Sequence, residues 1–213
     1  MTRAQLALIG HGVLAIAAMA AIVPVLTGFV GLQAGYLLSL CLYWLGFCLP
    51  VLLLHVRSHA DDRLFSEKLA WRDWFVPILL LVQVGVVAVV LFAPNTAMLT
   101  THAAMLAAVV GLVGGVLEEA AWRGGFMVRF GDRPRLGFWL GWLLSTASQV
   151  PLLFSRGLVL DQGWALLIIG AAALGLLWSW IAWRTGSVFW VSIAHVLTSI
   201  LGFWVLFERN GFA

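Results

Sequence analysis

Seven apolar runs set the terms on which this chain can fold. They lie at about 5–29, 33–56, 74–94, 98–127, 136–154, 163–183 and 187–207, separated by short polar joints. A run of about twenty apolar residues is long enough to cross the hydrocarbon of a bilayer as a helix, the form that satisfies its backbone polar groups within the segment. Gly and Pro punctuate the joints, at Gly31, Pro94, the Gly131–Pro134 turn, Gly157, Gly163 and Gly186. The chain is only 10% charged, where soluble domains carry about 25%. The fold class expected is therefore an all-α membrane protein: a polytopic bundle of about seven transmembrane helices, with room for an eighth, re-entrant or split segment. Residues 1–213 read as one integral membrane domain. Met1-Thr2-Arg3, the apolar run and Ala18-Met19-Ala20 faintly resemble a signal peptide. The run continues through Val30, long enough to span, so a retained first helix is expected.

The charges orient the bundle. With the N-terminus cytoplasmic, the inner segments hold Arg3, Arg57, Arg63, Lys68, Arg72, Arg129, Arg133, Arg135 and Arg184, and the outer ones only Arg156 and Arg209. A bias of nine to two follows the positive-inside rule and puts the C-terminus outside. Basic residues scattered through loops in this way do not suggest a nucleic-acid partner, despite the net charge of +3. The long polar stretch Arg57–Asp73 is expected to carry a short interfacial helix, since Leu64, Leu69 and Trp71 interleave with charges. Cys41 and Cys48 are two helical turns apart, about 10 Å, beyond disulfide reach, and read as buried free thiols.

Within the fourth run stands Val116-Leu117-Glu118-Glu119-Ala120-Ala121-Trp122-Arg123-Gly124-Gly125. Ionisable residues inside a membrane span are costly and mark functional sites. Glu119 and Arg123 are four apart on one helical face, in the favourable acid-before-base order. Glu118 is rotated by about 100° and faces elsewhere. One carboxylate is thereby tied and the other left free. Gly111 and Gly115 form a small-xxx-small pair that lets a neighbouring helix approach closely.

Two further spans show polar faces: Ser145, Ser148 and Gln149 at i, i+3 and i+4 in the fifth, with Ser192, His195 and Ser199 in the seventh. Polar side chains avoid lipid, so the three faces are expected to converge on one internal cavity. A carboxylate, a histidine and hydroxyl or amide donors can activate water for hydrolysis. Glu118 would serve as general base, while His195 and a neighbouring donor would stabilise an oxyanion. No HExxH or other compact zinc spacing occurs, and neither a metal nor another cofactor is expected. His11, His55, His59 and His102 read as structural, His102 lying about 24 Å from Glu118 along the helix. The tryptophans read as interfacial anchors and packing, with no catalytic role for Trp178, Trp180 or Trp183.

Glu-Glu-Ala-Ala-Trp-Arg at 118–123 fits the EExxxR motif of the CPBP intramembrane endopeptidases, the CAAX-processing and bacteriocin-processing (Abi) proteases. Ala194-His195-Val196-Leu197-Thr198-Ser199 resembles that family's later HxxxN/D motif. The similarity covers about residues 100–205, within a core at 98–207. The resemblance implies Glu118 as catalytic base, Glu119 and Arg123 as its supporting pair, and His195 on the oxyanion side. Two motifs depart from the pattern: in the middle FxxxH motif Gln149 stands at the histidine and Ser145 at the phenylalanine, and in the last motif Ser199 stands at the Asn/Asp position.

The function expected is glutamate-dependent intramembrane cleavage near the C-terminus of a membrane-anchored or lipidated protein or peptide, approached through the side of the bundle. The lipid bilayer is the other partner. The expected location is the bacterial inner (plasma) membrane, with the N-terminus cytoplasmic. The alternative is a catalytically impaired relative acting as a membrane scaffold or chaperone. A small transporter fits less well, because the chain shows no repeated halves.

Overall fold

The computed structural model describes residues 1–57, 62–160 and 162–212. Among these, the ordered elements are all helical. Seven helices are long and apolar enough to cross a membrane: α1 Arg3–Phe29, α2 Leu32–Val56, α3 Trp71–Met98, α4 Thr101–Arg129, α5 Pro134–Phe154, α6 Gly163–Thr185 and α7 Phe189–Arg209. The seven spans read from hydropathy are all present, and most ends shift by only a few residues.

Helix ends are fixed by local chemistry. Thr2 and Gln5 form a reciprocal capping box that starts α1. Pro134 opens α5, where its missing N–H costs nothing. Gly186 closes α6 at φ +73°, a left-handed backbone that favours glycine. Thr100 caps α4, and Glu208 near the end of α7 accepts from its N–H at 2.9 Å and from its hydroxyl at 2.7 Å. That carboxylate pins the start of α4 to the end of α7.

The pairing of α4 with α7 is the most extensive between any two spans. Its cause is the glycine pair foreseen in the sequence. A Cβ on Gly115 would stand 2.7 Å from the backbone nitrogen of Val196, and one on Gly111 would stand 2.9 Å from that of Ile200. The two backbones touch, as small residues allow between membrane helices. This contact places Glu119 beside His195. Two apolar clusters flank the junction: Tyr43, Phe47, Trp122 and Phe126 on one side, with Leu80, Trp178, Ile181 and Ala194 on the other.

The spans are not uniform α-helices. α4 opens into a π-helical turn at Glu119–Gly124, and every residue of that turn is buried. Such turns are rare and concentrate at functional sites. α2 contains two more, at Trp44–Cys48 and Leu52–Val56. In α5 the regular helix stops at Ala147, and a 3-10 segment runs over Val150–Phe154. Pro151 has no N–H to donate and restricts the residue before it, so the α-helical ladder cannot continue. Ser148 and Gln149 therefore lie in a turn rather than on the regular helical face expected from their spacing.

Two other expectations change. The Arg57–Asp73 stretch holds only a short 3-10 turn, Trp71–Asp73, among its described residues. Leu64 does not lie at an interface: it is buried, and its carbonyl accepts from Val188 N–H at 2.8 Å. The loop folds over the start of α7, where the helix offers free N–H donors. Of the two cysteines only Cys48 is buried, while Cys41 is exposed on the apolar outer face of α2. Both are free thiols.

Candidate active site

The two adjacent carboxylates have different surroundings. Glu119 is fully buried, and its Oε1 accepts from Arg123 Nη1 at 2.9 Å and from His195 Nδ1 at 2.8 Å. Arg123 has further partners, donating through Nε to Ser179 Oγ at 3.3 Å and through Nη2 to the Gly175 carbonyl at 3.2 Å. A buried ion pair needs additional hydrogen bonds to offset desolvation, and α6 supplies two of them here. The (i, i+4) pair read from the sequence is therefore present, and it holds although the turn carrying it is π-helical.

Glu118 is only partly buried and lines a cavity of about 500 Å³. Among the described residues its Oε1 accepts one bond, from Trp44 Nε1 at 3.3 Å. Gly114 makes room for that indole, since a Cβ there would lie 3.0 Å from the Trp44 ring. One carboxylate is locked and its neighbour faces open space, the division read from the helical angle.

His195 is held on two sides. Its ring stacks on Trp178 with centroids 4.5 Å apart and planes at 27°, while Nδ1–H donates to Glu119. This leaves Nε2 without a protein partner among the described residues. Trp178 is anchored in turn, its Nε1 donating to Gln83 Oε1 at 3.2 Å, and Gln83 Nε2 donates to Thr198 Oγ1 at 3.0 Å. The histidine is clamped between a carboxylate of α4 and an indole of α6, and an amide of α3 fixes that indole.

The cavity also collects Arg123, Ser145, Ser148, Gln149 and Ser199. All six candidate residues, Glu118, Glu119, Arg123, Gln149, His195 and Ser199, thus cluster at one junction, five lining the cavity and Glu119 buried behind His195. Ser192, expected on the same face of α7, does not line it. Ser145 and Ser148 spend their hydroxyls on nearby carbonyls, those of Trp142 and Ser145. Gln149 and Ser199 make no side-chain hydrogen bond among the described residues, so their donors remain open to the cavity. Glu119 Oε2 and Thr146 Oγ1 are buried without a partner among these residues.

Trp44, Trp178 and Gln83 were not legible as site residues. Gln83 carried a signal, as a lone amide in an apolar span, by the rule that exposed the other polar faces. The indoles carried none, since tryptophan in a span is ordinary. His11 lies 3.0 Å from the Gly46 carbonyl, and His55 accepts from Arg129 Nε at 3.1 Å, and neither lines the cavity. His59 falls outside the described residues. Among the described residues, no group of three or more His, Cys, Asp or Glu is placed to hold a metal ion.

Seven spans around a buried ion pair and an internal, largely apolar cavity with a polar floor define a polytopic membrane protein. Residues 100–201 match the family model described as type II CAAX prenyl endopeptidase Rce1-like. The match bears out the resemblance to the CPBP intramembrane endopeptidases, and it spans all six candidate residues. No curated protein and no solved structure matches the chain.

Proposed function

We propose that the chain is a glutamate-dependent intramembrane endopeptidase that cuts near the C-terminus of a membrane-anchored or lipidated protein or peptide. The observation that carries this reading is the unequal treatment of two neighbouring carboxylates. Glu119 is committed to Arg123 and His195, while Glu118 keeps one weak protein bond and faces the cavity. The family match supports the peptidase class.

In this mechanism Glu118 takes a proton from a water in the cavity as the water oxygen adds to the scissile carbonyl. The carbonyl oxygen becomes an oxyanion near His195. With both ring nitrogens protonated, His195 keeps Nδ1–H on Glu119 and offers Nε2–H to that oxyanion. Gln149 and Ser199 are further donors with no competing partner. The proton held by Glu118 then passes to the departing amine as the C–N bond breaks, giving a carboxylate and an amine. The side chains carry each step, and no metal or other cofactor is invoked. Gln149 can orient the water but cannot accept its proton, so the proton load falls on Glu118 alone.

The chain acts within the bilayer, assigned here to a bacterial inner membrane with the N-terminus cytoplasmic, and without a nucleic-acid partner. The test compares the C-termini of membrane proteins in cells carrying the wild type, Glu118→Gln or no copy. One set of C-termini is expected to lengthen equally in the last two. Unchanged C-termini in Glu118→Gln, beside a phenotype on deletion, would overturn the reading and leave a binding protein.

A further inference from the structure

The cavity draws on one end of the bundle only. Among its lining residues on α4, α6 and α7, Trp122, Arg123, Trp178 and His195 lie toward the basic end of their helices. From there it runs to Asn95, Gln162 and Arg209, at the end of the bundle where α3, α6 and α7 meet the α3–α4 and α5–α6 connections. No described residue of the connections at 57–70, 130–133 or 186–188 lines it. That opposite end carries the charge: Arg57, Arg63, Lys68, Arg72, Arg129, Arg133, Arg135 and Arg184, with Arg3 at the start of α1. The cavity therefore opens away from the basic end.

Packing explains the direction. The first fully buried residue of α6 is Gly175, so the half of the helix before it stands off from α7 and leaves the space. Toward the basic end the described residues pack together instead. Buried Leu64 reaches Gly124, where a Cβ would meet its side chain at 3.5 Å, one residue from Arg123. The loop bearing Leu64 is tied down by Ser187, whose hydroxyl donates to the Ser66 carbonyl at 2.7 Å, and by the Val188 N–H. Glu118 is about 16 Å along α4 from Arg129 at the basic end and about 26 Å from Thr101 at the other. The open route to the carboxylate is the longer one.

Basic ends face the cytoplasm. We propose that the site is entered from the extracytoplasmic side, and that its substrate is an exported polypeptide whose scissile bond reaches Glu118 from that side while its apolar anchor lies along the cavity. The anchor's place follows from the wall chemistry. Between the polar floor and the mouth, the lining is Val86, Val90, Leu91, Leu167, Leu174 and Phe203, which suits an acyl chain or an apolar peptide segment. The substrate class rests on the endopeptidase reading, whereas the side of entry rests on geometry and charge.

The test uses the full chain with Cys41→Ala and Cys48→Ala, carrying one new cysteine at a time: Gln162→Cys at the mouth, Ala171→Cys on the cavity wall or Lys68→Cys at the basic end. Intact cells are treated with a membrane-impermeant thiol reagent, and labelling of denatured protein reports that each variant is made. Gln162→Cys and Ala171→Cys should be labelled in intact cells, and Lys68→Cys only after the cells are opened. The reverse pattern, or a wall cysteine silent from both sides, would overturn the proposal. Labelling does not depend on catalysis, so it separates an error in the side of entry from an error in the peptidase reading. If cleavage is found but every Glu118-dependent cut lies in a cytoplasmic segment, the exported-substrate class fails whatever the labelling shows.

Discussion

His195 Nδ1 lies 2.8 Å from Glu119 Oε1, the same oxygen that accepts from Arg123 Nη1 at 2.9 Å. One carboxylate oxygen on α4 therefore holds a residue of its own helix and the single histidine of α7. Removing that charge leaves a buried guanidinium without its counter-ion. Glu119→Gln is expected to destabilise the protein by about 3–5 kcal/mol. Glu118→Gln, whose amide oxygen can still accept from Trp44 at the edge of the cavity, should cost about 1 kcal/mol or less. Thermal unfolding in detergent of the two variants side by side checks this. Equal losses would mean that the two carboxylates are not divided as described.

Trp178 positions His195 by stacking at 4.5 Å, and Gln83 holds Trp178. Trp178→Leu should lower kcat by roughly 10–100-fold with little change in KM, because a small misplacement of a catalytic group is costly. Trp178→Phe keeps a stacking face and should recover most of the rate. Equal rates for the Phe and Leu variants would show that the stack does not matter.

Gly115 lets α4 and α7 touch, with a hypothetical Cβ only 2.7 Å from Val196 N. Gly115→Ala must push the helices apart, at a cost of about 1–3 kcal/mol. The same displacement should weaken the Glu119–His195 contact and reduce turnover. Gly85, with nothing within 4 Å of an added Cβ, is the control, and Gly85→Ala should leave stability within about 0.5 kcal/mol of wild type.

Gln149 faces the cavity with an uncommitted amide, at the position where the resemblance places a histidine. Gln149→Leu should slow cleavage by roughly 10–100-fold without loss of fold, as expected for a group that orients water. Gln149→His, which adds a proton acceptor, should raise the rate above wild type. A Leu variant as active as wild type would remove Gln149 from the site.

Much of this organisation was written along the chain. The seven spans follow from apolar run length, because a bilayer forces each to satisfy its own backbone. The Glu119–Arg123 pair follows from four-residue spacing, and Gly111 and Gly115 mark a face of α4 open to close helix approach, while only the structure shows that α7 fills it. Where regular geometry broke, the reading broke with it. Pro151 ended the α-helix of α5 before Gln149, and Ser192 fell outside the cavity.

The sequence by itself determined the class of fold, the carboxylate pair and the basic end of the bundle, since each depends on composition or spacing within one segment. Only the tertiary structure decided that Trp44 reaches Glu118, that Gln83 and Trp178 clamp His195, and that the cavity opens away from the basic loops. Those relations join helices far apart in the chain, and they depend on how far one helix stands from another. No local pattern encodes that distance.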